Sequence, residues 1–213
     1  DGNGGALAES LEALGARVAS IRIVGDDRDA IVAALAGHLA DGVGVICVTG
    51  GLGPTHDDLT MEAVARATGG SLALDHTALE MVRARSRGLP VDAEAARAAQ
   101  VKQASLPAGS TVLAPAGTAP GCLVEHDGAL IVVLPGPPWE MRSMWEDAVR
   151  QQPALRSRLA PASAPAERVL RIHARPESQL AQMLDGPGAP DLSGLRLGIC
   201  ARDGELELTV RGD

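Results

Sequence analysis

A short and almost continuous apolar run, Val43-Gly-Val-Ile-Cys-Val48, constrains the fold of this chain more than any other feature. A strand with this pattern is typical of a parallel sheet whose two faces are both covered. The run is preceded by a helical pattern over 3–14, by the alternating segment Val18–Val24, and by a second helical pattern that Asp26 and Asp27 can cap. This order of helix, strand, helix and strand predicts an α/β fold with a parallel sheet.

Residues 60–104 are predicted to be mostly helical. Their pattern is broken near Gly69-Gly70 and near Gly88-Leu89-Pro90, because glycine and proline interrupt helices. A short strand is expected at Thr111–Leu113.

A two-residue turn signal, Asp127-Gly128, lies between the apolar segments Cys122–Glu125 and Leu130–Leu134. Such a signal predicts an antiparallel hairpin within an otherwise parallel sheet. Pro137-Pro138 then opens a helix at its first turn. One face of this helix is interpreted as core rather than as a cofactor site, and it carries Met141, Met144, Trp145, Ala148 and Val149.

The segment Ala160–Ala166 is rich in proline and alanine and is interpreted as a linker. Residues 1–159 are therefore assigned to a first domain and residues 167–213 to a small second domain. The second domain is predicted to contain a strand, a helix and two strands, at Arg168–His173, Pro176–Leu184, Leu195–Ala201 and Glu205–Val210, with Asp203-Gly204 as the last turn.

The charge of the chain argues against two classes of partner. Its 213 residues include 27 acidic and 19 basic side chains, for a formal net charge of -8, which disfavours non-specific binding to nucleic acid and to anionic membranes. No apolar run approaches the roughly 20 residues that a membrane helix requires. Phe and Tyr, which stack on single-stranded nucleic acid, are absent. A cytoplasmic protein without a secretion signal is expected.

The three cysteines, Cys47, Cys122 and Cys200, are far apart and form no Cys-x-x-Cys pair or Cys/His cluster. A zinc site is therefore not expected. Each cysteine lies in or beside an apolar run, and all three are interpreted as small buried hydrophobic side chains in a reducing compartment.

The most informative stretch runs from Val48 to Ala63, from the carboxyl end of the buried strand into a helix, and open α/β sheets bind ligands at this edge. Its three glycines let the backbone approach a ligand and direct N–H groups at it, which suits phosphate. The adjacent carboxylates of Asp57 and Asp58 repel a bare phosphate but suit a divalent cation that bridges them to phosphate oxygens. The alternative is a tight turn in which one aspartate caps the helix and the other is solvated.

Two Gly/Pro loops, Pro115–Gly121 and Leu134–Pro138, can close a pocket opposite this stretch, although each is also compatible with a simple turn. Thr118 can donate its hydroxyl to phosphate. Lys102, which is the only lysine, can neutralise phosphate charge or be a solvated surface residue.

Asp1 and Asn3 can cap the first helix. His56 can act as a base or ligand beside the aspartates, although a single loop histidine is more often simply exposed. No serine-hydrolase elbow, P-loop or zincin motif is present, which excludes those three classes.

One motif resembles the signature of the MoaB/MogA-like molybdopterin-binding domain: Thr49-Gly-Gly-Leu-Gly-Pro-Thr-His-Asp-Asp-Leu-Thr. Its Gly-Pro-Thr-x-Asp-Asp form is that of the CinA (competence/damage-inducible protein A) family. The tail from Arg168 onward resembles the small KH-like subdomain of that family. Four further segments are similar to CinA, namely Asp1-Gly-Asn-Gly, Val101-Lys-Gln-Ala, Gly117-Thr-Ala-Pro-Gly and Leu134-Pro-Gly-Pro-Pro-Trp-Glu-Met.

The resemblance implies a three-layer α/β/α domain with a mixed, mostly parallel sheet, followed by a small α+β KH-like subdomain. MoaB/MogA-like members bind molybdopterin, and some adenylylate it with Mg-ATP. CinA-type domains are instead associated with metal-dependent hydrolysis of ADP-ribose to AMP and ribose 5-phosphate. The implied ligand is thus a nucleotide or a pterin phosphate, the implied cofactor is Mg²⁺, Mn²⁺ or Co²⁺, and the implied assembly is a homodimer.

The resemblance also implies roles for single residues. Asp57 and Asp58 are expected to bind the metal or orient water, with Asp58 at the position of the aspartate that matters for adenylyl transfer. Lys102 is expected to stabilise charge during phosphate chemistry. The expected substrate and phosphate contacts are Asn3, Gly50, Gly51, Gly53, Thr55, Thr118, Gly121 and Gly136.

The chain departs from the CinA pattern in three ways. It begins at Asp1, without the strand and the Gly-Asp-Glu-Leu-Leu loop that normally come first, so either the sequence is incomplete or part of the pocket is missing. It lacks the C-terminal nicotinamide mononucleotide deamidase domain, so no deamidase activity is expected. Gln100 stands where the family often has asparagine before Lys-Gln-Ala.

Three functions are compatible with these observations. A metal-dependent pyrophosphatase of ADP-ribose type comes first, because the MogA form of the motif lacks the doubled aspartate. Molybdopterin binding or adenylylation comes second, and a non-catalytic nucleotide-binding or regulatory module comes third. RNA binding by the KH-like tail is disfavoured, because the chain is acidic and the tail has no Gly-x-x-Gly loop.

Overall fold

The computed structural model describes residues 2–86, 93–159, 167–173, 175–202 and 204–212. The chain divides into two compact units, residues 1–160 and 161–213. Four sequence features lie outside the described residues, namely the capping candidate Asp1, the break at Gly88-Leu89-Pro90, the linker Ala160–Ala166 and the turn residue Asp203.

The first unit contains seven helices and six strands within its described residues. The helices are α1 (Gly2–Ala13), α2 (Arg28–Ala40), α3 (Thr60–Ala67), α4 (His76–Arg85), α5 (Ala93–Gln103), α6 (Pro138–Gln151) and α7 (Pro153–Leu159). The strands are β1 (Val45–Thr49), β2 (Leu72–Leu74), β3 (Ser105–Pro107), β4 (Thr111–Leu113), β5 (Gly121–His126) and β6 (Ala129–Leu134).

Four of these strands form one mixed sheet in the order β1-β6-β5-β4. β1 pairs with β6 in parallel, whereas β5 pairs with β6 and with β4 in antiparallel. The predicted hairpin is confirmed: Asp127 (φ 46°) and Gly128 (φ 82°) both take the left-handed conformation that a tight two-residue hairpin turn requires. β2 and β3 form a separate antiparallel pair.

Strand β6 is buried along its whole length and sends alternate side chains into two cores, which confirms that the sheet is covered on both faces. One core lies under α2, α3 and α4, and its residues include Leu35, Val64, Leu79, Ile131 and Val133. The other core lies under α1, α6 and α7, and its residues include Leu7, Leu130, Val132, Leu134, Met144, Trp145 and Leu155. The unit therefore has three layers, α/β/α, and the Met/Trp face of α6 is core, as predicted.

The predicted strand at Val18–Val24 is wrong, because residues 16–25 form neither helix nor strand. Ile21 and Ile23 are 53% and 77% exposed. An alternating pattern indicates which side chains share a face, but a strand exists only where a second strand pairs with its backbone. The described four-stranded sheet has one parallel and two antiparallel pairings, so it is mixed, as expected, but not mostly parallel.

The other elements of the first unit follow the sequence more closely. Asp27 caps α2, with its carboxylate accepting a hydrogen bond of 2.9 Å from the backbone N–H of Ala30. Gly69 ends the helical stretch of α3 with φ at 67°. The stretch 60–104 is not all helical, however, because β2 lies inside it and pairs with β3.

The second unit contains β7 (Glu167–Ile172), α8 (Glu177–Asp185), β8 (Leu195–Arg202) and β9 (Glu205–Gly212). Its three strands form an antiparallel sheet in the order β7-β9-β8. Leu180 of α8 packs against Leu206 and Leu208 of β9 in a small core.

The prediction that all three cysteines are buried is only partly correct. Cys122 is buried and Cys47 is partly buried, but Cys200 is exposed, so the prediction of three buried cysteines is wrong at Cys200. Burial raises the pKa of the Cys122 thiol to about 12.

No helix within the described ranges is both long and apolar enough to span a membrane.

Candidate functional site

The carboxyl ends of β1 and β6 bring two glycines into close contact. Gly50 follows β1, takes a φ of 97°, and donates its N–H to the carbonyl oxygen of Leu134 at 3.0 Å. A Cβ atom at Gly136 would lie 3.4 Å from the Cα atom of Gly50. The two loops predicted to face one pocket therefore meet at this edge.

Asn3 connects the first helix to the same edge. Its side chain is buried, and its Nδ2 donates to the Thr49 hydroxyl at 2.9 Å and to the Gly136 carbonyl at 2.7 Å. The Thr49 hydroxyl in turn donates to the carbonyl oxygen of Pro135 at 2.8 Å. Asn3 thus holds the two strand ends in register, and Thr49, which sequence reasoning missed, is its partner.

The glycine loop, residues 50–59, leads from β1 to α3. Gly51 has a φ of 66°, and a Cβ atom there would lie 2.5 Å from the Thr60 hydroxyl oxygen. That hydroxyl donates to the carbonyl oxygen of Gly50 at 2.7 Å. Glycine is therefore required at position 51 by both conformation and space.

Asp58 is held in one orientation by Thr55. Its Oδ2 accepts hydrogen bonds from the Thr55 backbone N–H at 2.9 Å and from the Thr55 hydroxyl at 2.7 Å. A Cβ atom at Gly53 would lie 2.5 Å from the same Oδ2, so the carboxylate covers the bare backbone of that glycine. The second oxygen, Oδ1, remains available to a ligand.

Lys102 reaches the glycine loop from the last turn of α5. Its Nζ donates to the carbonyl oxygen of Thr55, which is 47 residues away in sequence. Thr55 therefore contacts the carboxylate of Asp58 and the ammonium group of Lys102 through different atoms. The acid and the cation predicted from sequence are brought together by this one residue.

Asp57 and His56 lie on the exposed side of the loop. The Asp57 side chain is 57% exposed, and its Oδ1 is 4.0 Å from Nδ1 of His56. Hydrogen bonding from the Thr55 side chain and the Asp57 backbone, together with the charges of His56 and Lys102, holds the pKa of Asp57 below its usual range. Asp57 is therefore ionised at neutral pH and accessible to solvent.

A cavity of about 260 Å³ opens beside the glycine loop. Four of the predicted site residues line it, namely Gly51, Gly53, Asp58 and Lys102. The remaining lining residues are Leu52, His56, Leu59, Met61, Glu62, Leu72, Gln103 and Ser105. Sequence reasoning missed Gln103 and Ser105, although both lie within three residues of Lys102 in the chain.

Thr118 and Gly121 are not among the residues that line this cavity. Thr118 is exposed. Gly121 is buried in β5, where a Cβ atom would lie 2.3 Å from the carbonyl oxygen of Val133 and 2.6 Å from Sδ of Met144. Near Thr118, the carboxyl group of Glu140 packs over Gly117, and burial raises the pKa of Glu140.

Two carboxylates of the glycine loop are the candidate ligands for a divalent cation. Within the described residues, no group of three or more His, Cys, Asp or Glu side chains is arranged to hold a metal ion. Asp57 and Asp58 offer two neighbouring carboxylates, one of which keeps a free oxygen. Mg²⁺ is commonly bound by one or two carboxylates plus substrate phosphates and water. The residues therefore fit a hard cation that is shared with a substrate, not one held by the protein alone.

Residues 1–157 match the family model described as the probable molybdopterin binding domain. A CinA-like protein of Mycobacterium sp. (strain JLS) is 44% identical over 220 residues, which cover 99% of this chain and 51% of that protein. The chain thus spans about half the length of the curated relatives it matches.

One solved structure supports this match. The protein CinA from Thermoplasma acidophilum is 30% identical, with a TM-score of 0.62 over 70% of this chain and 85% of that one. The molybdopterin biosynthesis enzyme MoaB from Thermus thermophilus is 22% identical, with a TM-score of 0.49 over 75% of this chain and 85% of that one. The predicted fold class, an α/β MoaB/MogA-like domain, is confirmed by the family match and the described layers. The chain belongs to the family of the probable molybdopterin binding domain, among its CinA-like members.

Proposed function

We propose that this protein hydrolyses the phosphoanhydride bond of a nucleotide diphosphate such as ADP-ribose, with a divalent cation as cofactor. The observation that carries the proposal is the convergence of Asp58, Thr55 and Lys102 beside the glycine backbone of one cavity. Accessible backbone N–H groups and a lysine stabilise phosphate charge, and an oriented carboxylate can position water.

The charge of the cavity supports the need for a cation. Its lining contains one lysine, Lys102, and two carboxylates, Asp58 and Glu62. Glu62 is neutralised by Arg28 at 2.8 Å, and the charges of Lys102 and Asp58 cancel each other. A pyrophosphate group would therefore bring uncompensated negative charge, to which Asp57 adds. A divalent cation held by the carboxylates would offset this negative charge.

The chain's own residues account for the remaining steps. Gly51 and Gly53 admit the phosphates close to the backbone, and Lys102 offsets the charge that develops on their oxygens. Asp58 orients a water molecule for addition to one phosphorus and accepts the proton released as the bridging P–O bond breaks. The leaving phosphate keeps the electron pair of that bond. Asp57 and Asp58 would hold the cation, as Mg²⁺, Mn²⁺ or Co²⁺, and it would supply Lewis-acid polarisation of the phosphate.

The test is turnover of ADP-ribose by the protein at its natural length, followed by chromatography of the products. AMP and ribose 5-phosphate are expected with Mg²⁺, Mn²⁺ or Co²⁺ and not in the presence of a chelator. Bound nucleotide without products, under all three metals, would contradict the hydrolase and favour a non-catalytic nucleotide-binding module.

Molybdopterin binding or adenylylation is the alternative function, because the matched family is described as a probable molybdopterin binding domain. The same glycine backbone and Lys102 suit a pterin phosphate. Incubation with molybdopterin and Mg-ATP, analysed by the same chromatography, distinguishes the two. Formation of adenylylated pterin in place of AMP release from ADP-ribose would assign the protein to that alternative.

A substitution at Thr55 tests whether Asp58 depends on its orientation. Thr55→Val keeps the shape of the side chain but removes the hydroxyl donor, and a hydrogen bond to a charged group contributes about 1.5 to 3 kcal/mol. We expect kcat/KM to fall by about 10- to 100-fold, since 1.36 kcal/mol corresponds to tenfold.

Thr55→Ser is the matched control, because it retains the hydroxyl and the backbone N–H. It should keep activity within a few-fold of wild type. Full activity of Thr55→Val, together with a loss in Thr55→Ser, would show that the Thr55 methyl group, and not the hydroxyl, matters.

A further inference from the structure

We infer that the cavity beside the glycine loop also binds the purine base of the substrate, and that the Gln103 amide recognises the edge of that base. The inference rests on the proposed function, since it names the substrate group that the same cavity accepts beside the phosphates. It concerns specificity and not the chemical step.

The lining of the cavity is chemically mixed. Gly51, Gly53 and Lys102 provide polar groups that suit phosphate. Leu59, Met61 and Leu72 provide apolar surface in the same lining. A flat aromatic ring joined to a phosphorylated sugar matches this mixture, because the ring buries apolar area while the phosphates remain near charge.

Part of the lining belongs to regular structure. Leu72 lies on β2 and Ser105 on β3, and the register that pairs Leu74 with Ser105 places all three on one face of this two-stranded sheet. The Ser105 hydroxyl donates to the carbonyl oxygen of Val101 at 2.8 Å, which fixes its orientation. Its oxygen is left to accept a hydrogen bond from a ligand.

Gln103 is the side chain that can recognise the base through hydrogen bonds. Its side chain lines the cavity and is half-buried, and it makes no hydrogen bond to any other described residue. A glutamine amide presents one donor and one acceptor side by side, and it pairs with the 6-amino group and a ring nitrogen of adenine in a bidentate manner. Gln103 therefore has the pairing capacity that an adenine edge requires.

The size of the cavity decides which part of the substrate it holds. At about 260 Å³ it is below the range of about 300 to 1,000 Å³ that is typical of sites enclosing a whole drug-sized ligand. It accommodates a base and the adjoining group, and it leaves the second ribose of ADP-ribose outside. Recognition should thus depend on the nucleotide half of the substrate.

The experiment is isothermal titration of the natural-length protein, in Mg²⁺, with AMP, with purine riboside 5′-monophosphate, which lacks the 6-amino group, and with ribose 5-phosphate, which lacks the base. Wild type should bind AMP most tightly. Gln103→Ala should weaken AMP binding by about tenfold, the value of one hydrogen-bonded edge contact of about 1.4 kcal/mol. It should leave ribose 5-phosphate binding unchanged.

Gln151→Ala, at the exposed end of α6, is the matched control and should bind all three ligands as wild type does. Equal weakening of AMP and ribose 5-phosphate by Gln103→Ala, or no weakening of either, would overturn the inference. So would wild-type protein that binds AMP no better than ribose 5-phosphate. Loss of AMP binding in Gln103→Ala, in a protein that does not hydrolyse ADP-ribose, would support the base subsite while refuting the proposed reaction.

Discussion

Asp58→Asn is expected to lower kcat/KM for ADP-ribose hydrolysis by about 100- to 10,000-fold, the range associated with a positioned acid–base group. The substitution removes the negative charge that would bind a cation and accept a proton. It retains an oxygen that can accept the hydrogen bonds from the N–H and hydroxyl of Thr55. Unfolding free energy should therefore change by less than about 1 kcal/mol.

The measurements are steady-state kinetics at saturating metal and urea denaturation of the same preparation. Asp26→Asn is the matched control, because Asp26 is an exposed aspartate before α2 and outside the cavity. It should be indistinguishable from wild type in both assays. Full activity of Asp58→Asn, with an unchanged metal requirement, would remove Asp58 from the mechanism and with it the main support for the proposed reaction.

Gly121→Ala is expected to destabilise the protein by about 3 kcal/mol, the upper end of the usual cost of overpacking a core. The new Cβ atom would lie 2.3 Å from the carbonyl oxygen of Val133 and 2.6 Å from Sδ of Met144. The first of these atoms belongs to the backbone of the paired strand β6, so it cannot move without disturbing the sheet. The lower unfolding free energy should be measured in urea denaturation both with and without added nucleotide.

Gly5→Ala provides the same chemical change where no atom lies within 4 Å of the added Cβ. Gly5 lies inside α1, so alanine should stabilise the protein by about 0.5 to 1 kcal/mol. If Gly121→Ala instead unfolded as wild type does but lost nucleotide affinity, the phosphate-contact role that the sequence predicted for Gly121 would be favoured over the packing role.

Much of the first unit could be predicted because its signals are local. The apolar run at Val43–Val48, the Asp127-Gly128 turn and the Pro137-Pro138 helix start each specify backbone conformation within a few residues. The same holds for Asp27, whose carboxylate caps the helix that begins at the next residue. Such features depend on short-range sterics and hydrogen bonds, which the order of residues alone determines.

The strand predicted at Val18–Val24 does not form, because its formation depends on a contact that is not local. Its alternation is a property of the segment, but strand formation needs backbone hydrogen bonds to a partner that no local pattern specifies. The prediction that Cys200 is buried was wrong for a similar reason. It follows an apolar residue in β8, yet the register of the three-stranded sheet leaves it on an exposed face.

Within the candidate site, the sequence by itself determined the glycine loop, the two aspartates and the single lysine as residues suited to phosphate. Only the tertiary structure placed Lys102 on the carbonyl oxygen of Thr55, across 47 residues. Gly51 and Gly121 look alike in sequence, but one lines the cavity and the other packs against β6. Local residue order decides which chemistry a chain carries, whereas the packing of distant elements decides which of those groups share a cavity, because such contacts depend on the whole fold.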